Sequence, residues 1–192
     1  IQFSDALEAA DRGVLFKTSV KEIGQRFQVM PTFMAKWNGA LPGCSGHMHQ
    51  SLWTKNGNAF DDDKDPRRMS KVFKSYLADL LPFFAPTVNS YKRLVDGYWA
   101  PTKVTWGIDN RTVAFRVIPG GPKSTRVEVP VSGSDINPYL ALAASIGAGL
   151  WGIASTLEDG ATAGATAARD AGHDATAQTH TVTADRTGSG VT

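Results

Sequence analysis

The sequence predicts an α+β fold, in which helices flank a group of strands. Apolar residues within the first 27 positions recur at three- and four-residue intervals, as they do along one face of a helix. Residues 111–118 and 126–131 instead alternate apolar and polar side chains, as half-buried strands do. Because 42% of the residues are hydrophobic, the chain can also bury an ordinary globular core.

Length and composition limit the classes of function. The 192 residues suffice for one domain, or for one domain and a tail, and a net charge of +2 is too small to indicate a nucleic-acid binder. Cys44 is the only cysteine, which rules out an internal disulfide and predicts a reducing, cytoplasmic setting. No apolar run reaches the roughly 18 residues of a membrane span, and no signal peptide opens the chain, so no membrane partner is expected.

The first predicted element is a helix over residues 4–27, with Asp5 and Glu8 as a capping pair. Its apolar positions are Leu7, Val14, Phe16, Val20, Ile23 and Phe27. Residues 30–37 (MPTFMAKW) predict a short buried strand, which leads into the glycine-rich stretch 42–51 (PGCSGHMHQS).

A turn-rich loop, TKNGNAFDDDKD, follows at residues 54–65, with a turn at Asn56-Gly57. Its three consecutive aspartates are either a solvated surface, which is the simpler interpretation, or metal ligands. Asp65-Pro66 then predicts the start of a second helix, because a capping side chain before proline favours the first helical turn. The apolar stripe predicted to face the core comprises Met69, Val72, Phe73, Tyr76, Leu77 and Leu80.

Each of the two predicted strands has apolar side chains on one face and charged side chains on the other. The apolar sets are Val113, Phe115 and Val117 in the first strand and Val127, Val129 and Val131 in the second. Asn137-Pro138 opens a third helix, whose many small residues allow close packing. Residues 155–192 lack aromatic residues and nearly lack large aliphatic ones, so this tail is predicted to be disordered.

His47 and His49 would share one face of an extended segment. They are either hydrogen-bonded histidines at a strand end or part of a metal or phosphate site with partners elsewhere. Glu128 is likewise either half of a salt bridge, beside Arg126, or a ligand of a hard metal shared with His47. A magnesium–nucleotide site would use these groups together with arginines that neutralise phosphate charge: Arg93, Arg111, Arg116 and Arg126.

Five motifs follow one another along the chain: GHMHQSLW, NSYKRLVDGYWAP, DNRTVAFRVIP, STRVEVPV and NPYLALAASIGAGL. In that order they resemble the C-terminal half of the catalytic domain of the glutamine synthetase superfamily. ALEAADRGVLFKTSVKEI and PTFMAKW resemble its preceding helix and strand. The resemblance covers residues 1–154 and implies an incomplete glutamine synthetase catalytic-domain fold, an antiparallel sheet with flanking helices. Residues 155–192 lie outside it.

The resemblance also implies a role for individual residues. His47 and Glu128 would bind one divalent ion, Mg²⁺ or Mn²⁺, and Arg116 would lie near the phosphate being transferred. Arg93 would hold the substrate carboxylate, beside Gly43. The positions that would contact ATP are His49, Ser51, Arg111, Lys123 and Arg126.

The reaction that the resemblance implies uses ATP to activate the side-chain carboxylate of glutamate as a γ-glutamyl phosphate. An amine then displaces the phosphate and leaves an amide, while the ions and arginines stabilise the phosphoryl charge. The implied partners are therefore small molecules: glutamate or a related acid, and an amine. The full-length parent would form a homo-oligomeric ring, with active sites between neighbouring subunits.

Three replacements separate this chain from the ammonia-using enzymes. Where they have GYEAP it has GYWAP, and Trp99 cannot accept a proton as their glutamate does. Its indole either stacks on a larger organic amine, which would place the chain nearer the γ-glutamyl–amine ligases, or fills the pocket of an inactive relative. Pro42 and Pro130 stand at positions that normally help to hold the amino acid, so the acid substrate need not be plain glutamate.

The two ends of the chain complete the predictions. The sequence does not begin with Met and starts after the family's N-terminal β-grasp domain and several metal-binding carboxylates, so we expect a fragment without ligase activity of its own. The tail after Ala154 is expected to reflect a frameshift or a mispredicted gene end. The preferred function is a truncated γ-glutamyl–amine ligase. The alternative is a non-catalytic structural or binding protein, like the lens relatives in this superfamily.

Overall fold

The computed structural model describes residues 2–78, 88–95, 100–102, 104–155 and 179–181. Within these ranges the chain forms four helices: α1 (Ala6–Arg26), α2 (Lys71–Ala78), α3 (Val88–Tyr91) and α4 (Pro138–Ala154). The same ranges contain seven strands: β1 (Met48–Gln50), β2 (Trp53–Thr54), β3 (Gly57–Asn58), β4 (Thr105–Ile108), β5 (Phe115–Ile118), β6 (Arg126–Val129) and β7 (Thr179–Thr181).

Five strands form one sheet in the order β1-β6-β5-β4-β7. Neighbouring strands run antiparallel except β4 and β5, so the predicted antiparallel sheet contains one parallel pair. The other two strands, β2 and β3, form a separate hairpin. Gly57 (φ +117°) follows its turn, which confirms the turn predicted at Asn56-Gly57. The predicted α+β class is confirmed.

One face of the sheet carries the core, which α2 and α4 complete. The rings of Phe60 and Phe73 stack at 4.2 Å. Of the stripe predicted for the second helix, Val72 is exposed and Leu80 lies outside the described residues. The buried core side chains include Met69, Phe73, Tyr76, Leu77, Phe115, Val117, Val127 and Val129. The opposite face of β5 and β6 is therefore left for polar groups.

Helix α1 confirms the first predicted helix but not the predicted cap. Asp5 at its start makes no capping hydrogen bond, and Glu8 instead pairs with Arg12 (2.6 Å), so the predicted capping pair is wrong. Helix α1 contacts α4 at Gly13, which lies directly against Pro138, and at Asp11, which accepts from the hydroxyl of Tyr139. The apolar side chains that this arrangement leaves exposed include Leu7, Phe16, Ile23 and Phe27.

The strand predicted at residues 30–37 is wrong. Its backbone groups bond to loops and side chains rather than to a neighbouring strand. Cys44 N–H donates to Ala35 O (2.8 Å), and the Asn89 side-chain amide bonds both the N–H and the C=O of Lys36. With these groups satisfied, the segment does not need a strand ladder. Its exposed apolar residues are Met30, Met34 and Trp37.

The second helix begins at Lys71, later than the start predicted at Pro66. Asp65 Oδ1 does accept backbone N–H groups, but within a turn. Arg68 then has φ +57°, which a continuous right-handed helix excludes. Ser70 follows, and its hydroxyl accepts the N–H of Phe73 (3.1 Å), so Ser70 caps the helix instead of Asp65.

Helix α4 begins where predicted. Asn137 Oδ1 accepts from the N–H groups of Tyr139 (3.0 Å) and Leu140 (3.3 Å), which otherwise have no partner in the helix. The small residues of α4 allow α2 to approach closely, because a Cβ on Gly149 would lie 2.2 Å from the Tyr76 ring. The predicted close packing is confirmed.

Replacing Asn137 with Ala is expected to lower the free energy of unfolding by about 1 kcal/mol, because two N–H groups lose their acceptor. Asp5→Ala, at the equivalent position of α1, is the matched control and should have a smaller effect, since Asp5 makes no capping hydrogen bond. Urea unfolding of both variants measures the difference. Equal losses would contradict the capping role of Asn137.

Four strands lie where the sequence patterns predict none. Strands β2 and β3 lie in or beside the loop predicted at residues 54–65. Strand β4 pairs with β5, and β7 pairs antiparallel with β4. The three residues of β7 pair with β4, so the disorder predicted for the tail is wrong at these residues. The rest of residues 156–192 lies outside the described residues, and disorder there stays a prediction. Among the described helices, none is both long and apolar enough to cross a membrane.

Candidate active site

The polar face of the sheet carries one side chain from each of β1, β6 and β5. His49 lies opposite Glu128, and Glu128 lies opposite Arg116 in the antiparallel register. Directly opposed residues point to the same face of a sheet, so the register itself brings the three groups together. We call His49, Glu128 and Arg116 the polar row.

Glu128 is buried and has two partners. Its Oε1 lies 2.8 Å from His47 Nδ1, and its Oε2 accepts from Arg116 Nη1 (2.7 Å). Arg116 Nε also donates to Asp109 Oδ1 (3.1 Å). Burial lowers the pKa of Arg116, but the hydrogen bonds to Asp109 and Glu128 outweigh it and raise that pKa above its ordinary value. The salt bridge considered for Glu128 therefore exists, but with Arg116 rather than Arg126.

His49 is oriented by Arg126, whose Nε donates to His49 Nδ1 (3.1 Å). Arginine N–H groups only donate, so Nδ1 must accept, and neutral His49 carries its proton on Nε2. Arg126 is held in turn by the carbonyl of Ser124, which accepts from Nη1 (2.9 Å). His49 thus offers an N–H donor, which suits a phosphate oxygen better than a metal ion.

Burial favours the neutral form of both histidines. Desolvation is the largest effect on each, and it lowers the pKa of His47 and of His49 from the ordinary 6.5. The charge of Glu128 opposes this shift, and nearby arginines reinforce it. An imidazole binds a metal through an unprotonated nitrogen. Nδ1 of neutral His47 donates its proton to Glu128 Oε1, so a cation bound at Nδ1 would replace that proton.

His47 and Glu128 fit a divalent cation as two adjacent ligands. In an octahedral Mg²⁺ site, neighbouring ligand atoms about 2.1 Å from the ion lie about 3.0 Å apart. His47 Nδ1 and Glu128 Oε1 are 2.8 Å apart. In the described part of the chain, neither this pair nor residues 61–63 belong to a group of three or more potential ligands. Mg²⁺ often takes one or two protein carboxylates and completes its shell with water and phosphate, so His47 and Glu128 would supply part of such a shell.

Gly43 and Arg93, the residues predicted to hold the substrate acid, lie in contact. A Cβ on Gly43 would lie 2.6 Å from Ala35 O and 3.0 Å from Arg93 Cγ, so only glycine fits there. Arg93 is buried, and its two Nη groups donate to the carbonyls of Pro130 (2.8 Å) and Val131 (2.9 Å). These bonds attach Arg93 to the chain just after β6, while its role in binding the acid stays a prediction.

The other predicted site residues are not part of this cluster. Ser51 Oγ accepts from the indole N–H of Trp53 (2.9 Å). Arg111 and Lys123 are exposed, and within the described residues neither forms a hydrogen bond with the polar row. Trp99 lies outside the described residues, so its proposed contact with an amine stays a prediction.

Asp109 is the site residue that the sequence patterns do not predict. It follows β4 with φ +51°, and its carboxylate bonds Arg116. Aspartate is one of the few residues that adopt this left-handed conformation readily. The available signal is the DNR motif, in which this acidic residue stands two positions before the predicted phosphate-binding Arg111.

A family model described as glutamine synthetase, catalytic domain, matches residues 1–184. The match extends past residue 154, where the resemblance is predicted to end. Type-1 glutamine synthetase 2 from Dictyostelium discoideum is 58% identical over 167 residues, which cover 82% of this chain and 32% of that protein.

Two further relatives carry different names. A glutamate–isopropylamine ligase from Pseudomonas sp is 39% identical over 166 residues (82% of this chain, 36% of that protein). A gamma-glutamylethanolamide synthetase from Streptomyces coelicolor is 42% identical over 165 residues (82% and 35%). A solved structure, the GmaS/ADP complex in conformation 1, matches with a TM-score of 0.70 at 36% identity and covers 81% of this chain and 38% of that chain.

The chain spans about a third of the length of the curated relatives it matches, from 32% to 36% in these three. The family model nevertheless covers most of this chain, and the structural match agrees with it. The chain belongs to the glutamine synthetase family.

Proposed function

We propose that this chain contributes to the active site of an ATP-dependent ligase that joins the γ-carboxyl group of glutamate, or of a related acid, to an organic amine in the cytoplasm. The observation that carries the proposal is the position of Glu128 between His47 and Arg116. The same buried carboxylate forms a pair of candidate metal ligands with His47 and bonds Arg116, whose guanidinium suits a phosphate group. A purely structural protein has no need of that combination.

In this proposal His47 and Glu128 hold Mg²⁺ or Mn²⁺, which would act as a Lewis acid toward phosphate oxygens. Arg116 bonds the other oxygen of Glu128, and its guanidinium neutralises charge on the phosphoryl group being transferred. Arg126 and the Nε2–H of His49 lie on the same sheet face and suit the phosphates of the nucleotide. Most of the catalysis would therefore come from positioning and charge.

The choice of an organic amine rests on two observations. Relatives at 39% and 42% identity are named for isopropylamine and ethanolamide. Trp99 also stands where the ammonia-using enzymes carry a glutamate. Ammonia is the second candidate nucleophile, because a relative at 58% identity is named a glutamine synthetase.

ADP release by the full-length parent protein tests the proposal, with Mg²⁺, ATP, glutamate and a panel of amines that includes ammonia. We expect turnover with an alkyl or aryl amine to exceed turnover with ammonia by about tenfold or more, because a pocket that binds the larger group gains apolar contacts. Reactions without an amine give the background rate. A preference for ammonia would select the second candidate, and no amine-dependent release from a folded oligomer would indicate a non-catalytic relative.

A further inference from the structure

A network around Asp61 joins the aspartate-rich loop to the turn before β6. Asp61 Oδ1 accepts from Arg68 Nε (3.0 Å) and from Thr125 Oγ1 (2.9 Å), and Oδ2 accepts from Arg68 Nη2 (2.6 Å). The Asp61 side chain is only 9% exposed, so these bonds are largely shielded from water. We call Asp61, Arg68 and Thr125 the Asp61 clamp.

The clamp also holds the backbone around it. Thr125 is fully buried, and its hydroxyl accepts the N–H of Gly120 (3.3 Å). Its carbonyl accepts from Asn58 Nδ2 (2.8 Å). Asn58 belongs to the β2–β3 hairpin, so the hairpin, the aspartate loop and the turn at residues 120–125 are tied together.

Arg126 follows Thr125 directly and opens β6. Its guanidinium has two partners: the carbonyl of Ser124, which belongs to the turn, and Nδ1 of His49, which belongs to the polar row. A shift of the turn would therefore move Arg126 relative to His49. The Asp61 clamp restrains the turn from outside, in addition to the hydrogen bonds that Ser124 N–H and Thr125 N–H donate to Gly121 O within it (both 3.0 Å).

We propose that Asp61 is a positioning residue for the nucleotide side of the site, acting through Thr125 on Arg126 and, through Arg126, on His49. This inference rests on the proposed function, in which Arg126 and His49 face ATP. It also gives the aspartate loop a role other than a solvated surface or a metal site, because both oxygens of Asp61 already accept hydrogen bonds.

In the full-length protein, Asp61→Asn is expected to raise the KM for ATP about tenfold. Displacement of Arg126 and His49 would weaken the binding of ATP equally in the ground state and in the transition state. The kcat and the KM values for the acid and the amine should change less than about twofold. Asp63→Asn, at an exposed aspartate of the same loop, is the matched control and should change none of these constants.

Thr125→Val tests whether Asp61 acts through the threonine hydroxyl. It should reproduce the higher KM for ATP, and the double variant should show no further increase, because the two residues act in one chain of contacts. Additive increases in the KM for ATP, or a fall in kcat at unchanged KM for ATP, would overturn the proposal.

Hydrogen exchange of the backbone amides at residues 120, 121 and 123–126 is a second readout that needs no activity. These amides should exchange faster in Asp61→Asn than in the wild type or in Asp63→Asn. Unchanged exchange there would overturn the proposal. A wild-type protein that releases no ADP would overturn the proposed function instead, and exchange would still decide whether Asp61 orders the turn.

Discussion

Replacing Glu128 with Gln in the full-length protein is expected to lower kcat/KM for amide formation by about 10²- to 10³-fold. The change removes the charge of a buried carboxylate that lies between His47 and Arg116. Losses of this size follow when a group that organises transition-state charge is removed. Mn²⁺ should also bind at least about tenfold more weakly, since one of the two ligands predicted within this chain loses its charge. Steady-state kinetics and Mn²⁺ titration measure the two effects.

Glu8→Gln is the matched control for this experiment. Glu8 also pairs with an arginine, Arg12, but on the exposed surface of α1, where such a pair contributes little. Activity and Mn²⁺ affinity should stay at wild-type values in this variant. Near-normal activity and Mn²⁺ affinity in a folded Glu128→Gln protein would show that Glu128 is only a structural salt-bridge partner.

Gly149→Ala is expected to lower the free energy of unfolding by about 1–3 kcal/mol, even though alanine favours helices. The added Cβ would lie 2.2 Å from the Tyr76 ring. The ring cannot move away freely, because it is fully buried and its hydroxyl donates to Gln50 Oε1 (2.6 Å). The new methyl group must therefore push α4 away from α2. A lower midpoint of urea unfolding at unchanged slope would report the loss.

Gly147→Ala, two residues earlier in α4, should have the opposite effect. Gly147 is exposed, and among the described residues no atom outside the backbone of its own helix lies within 4 Å of its Cβ position. The substitution therefore adds only helix propensity and should raise the free energy of unfolding by about 0.5–1 kcal/mol. Stabilisation by both substitutions would contradict the close contact between Gly149 and Tyr76.

Elements with a clear local period were predictable. Helix α1 lies where its apolar spacing indicates, and the Asn137 cap starts α4 as expected. Strands β5 and β6 are shorter than predicted, because residues 111–114 and 130–131 form turns or bends instead. The segment at 30–37 differs because its apolar residues fit a strand, but its backbone partners come from Cys44 in a loop and from Asn89 in α3. The start of α2 differs from the predicted start because Arg68 adopts a left-handed conformation, which the Asp65-Pro66 pattern does not predict.

The candidate site was predictable in its residue types but not in its pairs. The motifs indicate His47, Glu128 and the arginines, and the structure does bring a histidine and an arginine onto Glu128. The partner of Glu128 is Arg116 on β5 rather than Arg126 two residues away on the same strand. Residues two apart on a strand share a face, but the directly opposed residue of a neighbouring strand lies closer.

The family was indicated by the resemblance of five ordered motifs. The groups available for chemistry, and the segments that could be helical or extended, follow from side-chain type and short-range spacing. Which of these groups meet depends on the tertiary structure. The register of β1, β6 and β5 sets His49, Glu128 and Arg116 in one row, although these residues are far apart along the chain. A register depends on the packing of whole strands against the core, so no local pattern can specify it.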